Sequence, residues 1–286
     1  MRLISGENIL FNIKMKQLNN FRESLVLRGL SKNTIEAYAD ANRKFLEFIK
    51  KNPTDVSSRD IKRYVLRLIA KKQKPKSINL TISALKSFYD DYRGRRLFAR
   101  IKRLKLEKPM PNVLSKEEIK EMIDSTANEK HKMIIKFLYS TGVRAGELIN
   151  IKIKDLDLED GYARIISGKG SKDRITIISK KLCRDIAEYL DENSRYLFES
   201  NRGGKLTIRS VQEIIKNAAR KAKIKRRVYP HALRASFATH LYDNDVQLQK
   251  IQKLMGHSDY KTTFAYVKPS RLDIDNITNP LDLLCY

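Results

Sequence analysis

Cysteine is nearly missing from this 286-residue chain. Cys183 falls in a helical pattern and Cys285 stands next to the C-terminus, so there is no disulfide framework and no metal-ligand spacing, and a reducing compartment is expected. Long apolar runs are missing as well. No stretch of about 18 apolar residues occurs, and the start "MRLISGENILFNIK" has charged and polar breaks where a signal peptide needs an apolar core. No membrane association and a cytoplasmic location are therefore expected. There is no internal repeat and no low-complexity tract. Acidic residues are scarce against basic ones: 33 Asp and Glu face 59 Lys and Arg, a formal charge of +26. With 41% hydrophobic residues this is a globular chain long enough for two domains, not a basic tail. Such an excess implies a polyanionic partner, with nucleic acid the first candidate.

The order of the segments locates that charge. Residues 1–14 show no clear period and read as an extension. From about residue 15 to 106 the pattern is helical, with stops at Gly29 and Gly94, a cap at Ser31, and Ser57 and Asp60 near capping-box spacing. Up to Glu107 this part holds 26 basic and 10 acidic residues, a net of +16. The segment "EKPMPNVLS" has two prolines and ends in a capping box formed by Ser115 and Glu118, so it reads as a linker before a fresh helix. The expected division is a helical domain over 1–108, a linker over 109–114 and a second domain over 115–286. In the second domain, helices are expected around 116–125 and 130–140, with Gly142 as an interruption and a short helix from about Arg144. Two β-rich runs flank "GKGSKD" as a hairpin. Helices follow near 181–191, 208–222, 231–243, 246–255 and 259–267. The fold class is mainly α with a small β-sheet.

Near the end, "LMGHSDYKTTFAYV" places His257 nine positions before Tyr266. On one straight helix that spacing puts the side chains on opposite faces. Gly256 closes the preceding apolar period and Ser258 or Asp259 can cap a new helix, so a corner lets both side chains aim at one point. His231 and Arg234 stand three apart on a helix that Pro230 helps to start, near a positive helix N-terminus suited to phosphate. Taken singly, each has an ordinary explanation: a packing histidine, a surface arginine, a solvated Lys169 in a Gly-rich turn, a tyrosine among 13. Together, Arg144, Arg234, Lys169, His231, His257 and Tyr266 form a complete set for metal-free phosphoryl transfer. Guanidinium groups fit the non-bridging oxygens of a phosphodiester and stabilise its transition state. A tyrosine hydroxyl needs help losing its proton before it attacks, and a lysine or histidine can protonate the leaving oxygen.

The strings "TGVRAGEL", "GKGSKDR", "HALRASFATHL" and "LMGHSDYKTTFAYV", in this order, resemble the tyrosine recombinases, and most closely the Xer-type recombinases of bacteria and archaea. The resemblance covers roughly residues 17–270. It implies an N-terminal helical core-binding domain and a C-terminal catalytic domain clamped around duplex DNA, acting as a homo-oligomer, a tetramer on two DNA sites. It makes Tyr266 the nucleophile, forming a 3′-phosphotyrosyl link and freeing a 5′-hydroxyl. Arg144 and Arg234 would hold the non-bridging oxygens, and Lys169 would protonate the leaving 5′-oxygen. His231 would assist proton transfer at the tyrosine, and His257 would hydrogen-bond the phosphate. Glu147 matches an acidic position that orients an arginine. No metal, cofactor or ATP is implied.

One departure is visible: Ala235 stands where close relatives often have histidine, which concerns local packing. The role implied is chromosome dimer resolution, hence chromosome partition and cell division. An integrase of a virus or mobile element is the alternative within the same chemistry, with a type IB topoisomerase-like enzyme or a non-catalytic DNA-binding module behind it. Residues 271–286 carry Ile274, Ile277, Leu281, Leu283 and Leu284, too many apolar groups for a solvated tail, and are expected to dock on a neighbouring protomer.

Overall fold

The structure is a computed structural model that describes residues 6–106, 112–166, 173–190, 194–201 and 203–256. The chain divides into two compact units, Met1–Lys108 and Pro109–Tyr286.

The first unit is helical: α1 (Gly6–Leu27), α2 (Lys32–Ile49), α3 (Ser58–Ala70) and α4 (Pro75–Lys86), which continues as a π-helical turn over Ser87–Tyr92. Capping chemistry sets the starts. The Ser31 side chain accepts from the Thr34 N–H, and Ser57 and Asp60 form a reciprocal capping box, with the Asp60 carboxylate also held by Lys51 at 3.0 Å. The expected extension over 1–14 is corrected in part: α1 begins at Gly6. Between Gly6 and Gly29 neither proline nor glycine interrupts the chain, and that continuity outweighs the poor apolar period. Phe21, Phe45, Leu46, Ile61, Leu85, Phe88 and Tyr89 form the buried core, with Phe21 edge-on to Phe88 at 5.1 Å between ring centres. The wider π turn brings the consecutive residues Ser87, Phe88 and Tyr89 inward, and Asp90 steadies it by accepting from the N–H groups of Leu97 and Phe98.

The second unit has its own core. Its described elements run α5 (Lys116–Asp124), α6 (Glu129–Thr141), α7 (Ala145–Leu148), β1 (Leu156–Asp157), β2 (Tyr162–Ile165), β3 (Arg174–Ile177), α8 (Lys180–Tyr189), α9 (Ile208–Lys221), α10 (Pro230–Tyr242) and α11 (Leu248–Met255). The strands form an antiparallel sheet in the order β1-β2-β3, with Tyr162 opposite Ile177 and Ile165 opposite Arg174. The hairpin expected around the Gly-rich turn is β2 and β3. The two-residue β1 was not expected, because so short a strand shows no alternation.

Helix α10 lies deepest. Pro230 and every residue from Ala232 to Ala238 are buried, which small side chains on several faces permit, and α10 packs against α6, α9 and α11. Ala235, the departure noted above, sits in a compact cluster with Phe237, Ala238, Ile251 and Met255. Ser236 ties α10 to the start of the unit by accepting from the Leu114 N–H at 2.8 Å. The architecture is thus mainly α with a small sheet, and the helical ends and the hairpin of this unit converge on one group of charged side chains.

Candidate active site

Gly142 sets the approach to the site. It ends α6 in the left-handed conformation (φ 61°), and a Cβ there would lie 2.3 Å from the Phe237 ring, so the tight corner requires glycine on both counts. The corner places Arg144 as the N-cap of α7 with its side chain 43% exposed. Three residues on, Glu147 reaches back: its Oε2 accepts the Arg144 backbone N–H at 2.7 Å and its Oε1 accepts Nη1 of the same residue at 2.8 Å.

Arg174, the first residue of β3, donates to the same carboxylate in a two-pronged geometry, Nη1 to Oε1 at 2.9 Å and Nη2 to Oε2 at 2.8 Å. Its Nε donates to the Leu254 carbonyl at 2.8 Å, at the end of α11. Arg234, on α10, is 1% exposed and comes within 3.9 Å of Glu147 Oε2. Its two amino groups donate to the carbonyls of Gly142 and Met255, at the C-terminal ends of α6 and α11. Helix C-termini leave carbonyls without intrahelical partners and carry partial negative charge, so a buried guanidinium is well placed there.

Glu147 is the hub of this cluster. Burial pushes its carboxyl pKa up, but the hydrogen bonds from Arg174 and Arg144 and the Arg174 charge outweigh burial and bring it down to about 2. Three arginines against one carboxylate leave two net positive charges in a small volume. Such a site suits a phosphodiester whose charge grows in its transition state. His231 lies one helical turn before Arg234 on α10 with its residue surface exposed. Partial burial, then the charges of Arg234 and Arg144, lower its pKa below the ordinary histidine value of 6.5. That shift favours the uncharged imidazole, the form able to accept a proton.

Arg144, Glu147, His231 and Arg234, all chosen from the sequence, are thus brought together in the second unit. Lys169, His257 and Tyr266 lie outside the described residues, as does the tail over 271–286. Arg174 was missed as a member of the site. The local pattern gave no signal for it: in "DRITII" the polar residues Arg174 and Thr176 alternate with Ile175 and Ile177, and the polar set faces inward. Thr176 is fully buried and donates to the Thr141 carbonyl at 2.8 Å, while Ile175 is 58% exposed. Among the described residues no group of three or more His, Cys, Asp or Glu side chains is arranged to hold a metal ion, and no helix is long and apolar enough to cross a membrane.

Residues 112–271 match the phage integrase family, and residues 18–98 match the family described as phage integrase, N-terminal SAM-like domain. The tyrosine recombinase XerA of Pyrococcus furiosus is 36% identical over 280 residues, covering 95% of this chain and 96% of that one. A crystal structure of a XerA recombinase is similar at a TM-score of 0.54 and 31% identity, covering 92% of this chain and 96% of the other. A XerH site-specific recombinase bound to its difH substrate in a pre-cleavage complex shares the fold at a TM-score of 0.69 and 22% identity, over 84% of this chain and 77% of that one.

Proposed function

Since this chain belongs to the phage integrase family and is a Xer-type tyrosine recombinase, we propose that it cleaves and rejoins duplex DNA at a specific site through a covalent 3′-phosphotyrosyl intermediate, with Tyr266 as the nucleophile. The observation that carries this reading is the arginine cluster on Glu147. It presents the partly exposed Arg144 together with the buried Arg234, and both charges bear on His231.

The Tyr266 hydroxyl oxygen attacks phosphorus, the bond from phosphorus to the 5′-oxygen breaks, and the phenolic proton passes to His231. Lys169 delivers a proton to the departing 5′-oxygen. Arg144 holds the non-bridging oxygens directly, Arg234 adds its positive charge from its buried place, and His257 hydrogen-bonds the phosphate. The energy of the broken ester is kept in the phosphotyrosyl bond. Attack by a 5′-hydroxyl of the partner strand reverses the step without ATP. The helical unit and the catalytic unit both bind the duplex, and four copies act on two sites. Chromosome dimer resolution is the role we propose for it, following the resemblance of its sequence motifs to the Xer-type recombinases.

A nicked suicide duplex carrying a candidate site tests the reading. The wild-type protein is expected to form a covalent protein-DNA band, and Tyr266→Phe to lose it while keeping DNA affinity, because one oxygen and no positive charge is removed. A covalent band that persists in Tyr266→Phe places the nucleophile on another residue.

A further inference from the structure

Arg174 has no part in the chemistry just described, yet its side chain is 7% exposed and three of its nitrogens are engaged. Resting on the recombinase reading, we propose that Arg174 is a positioning residue that sets the direction of Arg144 through the carboxylate of Glu147. The two parallel hydrogen bonds at 2.8 and 2.9 Å fix the plane of that carboxylate, which a single contact cannot do. The same two oxygens hold the Arg144 backbone N–H and its Nη1. The direction of the exposed guanidinium is therefore inherited from a buried one. A long side chain that is 43% exposed otherwise samples many rotamers, and each unproductive one lowers the fraction of sites ready to react.

Arg174 is itself held firmly enough for this task. Its Nε is anchored on the Leu254 carbonyl, and its stem lies across Gly256, where an added Cβ would be 2.7 Å from Arg174 Cδ. A lysine at this place keeps the charge but lacks the fork, and its one nitrogen cannot serve two carboxylate oxygens and a carbonyl in this geometry. Shape as well as charge is thus required at residue 174.

The test uses the full-length protein on the nicked suicide duplex. It measures the single-turnover cleavage rate at saturating DNA, the Kd for the duplex and the melting temperature of Arg174→Ala, Arg174→Lys, Arg144→Ala and the double variant Arg144→Ala/Arg174→Ala. Arg174→Ala is expected to cleave roughly 100-fold more slowly with Kd little changed. Arg174→Lys should stay close to Arg174→Ala, because charge without the fork does not orient Glu147. In the Arg144→Ala background, loss of Arg174 should cost far less, since the side chain it positions is gone. Wild-type cleavage by either Arg174 variant overturns the proposal, and so does an equal rate loss in both backgrounds. Should Arg174→Ala fail to fold, Glu147→Gln/Arg174→Met removes both buried charges together, and wild-type cleavage by that variant has the same force. Absence of a covalent band with the wild-type protein on every candidate site counts against the recombinase reading itself, a result distinct from all of these.

Discussion

A proton on Glu147 would take acceptors from two arginines at once, because Arg144 and Arg174 both donate to its carboxylate. Its pKa is about 2 in the folded protein against 4.5 when unperturbed. Folding therefore favours the ionised form, and the stabilisation is fully present above pH 4.5 and is lost as pH falls from there toward 2. The difference corresponds to roughly 3 kcal/mol. Urea unfolding of the wild-type protein and of Glu147→Gln across this range should give a shallower pH slope for the variant. Equal slopes would mean that the carboxylate is not held by the arginines in solution. At neutral pH, Glu147→Gln should still be destabilised, since Arg174 then faces a neutral amide in a buried place.

At the scale of elements, the joint between α6 and α7 decides where Arg144 points. Gly142 combines a positive φ of 61° with contact against Phe237 and Met255, whereas Gly204, at φ 68°, has open space around its Cα. Gly204→Ala should cost only backbone strain, about 1 kcal/mol. Gly142→Ala adds overpacking to that strain and should cost roughly 3 kcal/mol. Denaturant unfolding of the two variants measures the difference, and equal losses would show that Phe237 moves aside freely. A displaced Phe237 would also disturb α10, whose Arg234 side chain spans the carbonyl ends of α6 and α11. Among the described residues, the placing of Arg234 therefore depends on the ends of α6 and α11.

For the whole molecule, charge distribution sets the expected response to salt. Residues up to Glu107 carry +16 of the total of +26. If both units bind the duplex, removing residues 1–108 should reduce the slope of log affinity against log salt by roughly half, since fewer counterions are released. The two units have separate cores, so the remaining unit keeps its own buried interior. An unchanged slope in a filter-binding titration would remove the helical unit from the DNA-binding surface.

What the sequence by itself determined were features whose partners lie within a few residues. The capping boxes at Ser57 with Asp60 and Ser115 with Glu118, and the glycine stops at Gly142 and Gly256, depend on one turn of backbone, so they were legible in the order of residues. Arg144, Glu147, His231 and Arg234 were legible as motif members, and Glu147 as the partner of an arginine. That this arginine is Arg174 as well as Arg144 was not legible. The first pair spans 27 positions, Arg234 and Gly142 span 92, and only packing brings such segments together. Strand β3 shows why local pattern misleads there. Alternation predicts Ile175 and Ile177 inside, yet Arg174 and Thr176 face inward, because the interior they meet holds a carboxylate and a helix-end carbonyl that need donors. Which face of a strand is buried follows from what lies opposite it, and that is decided by the tertiary structure.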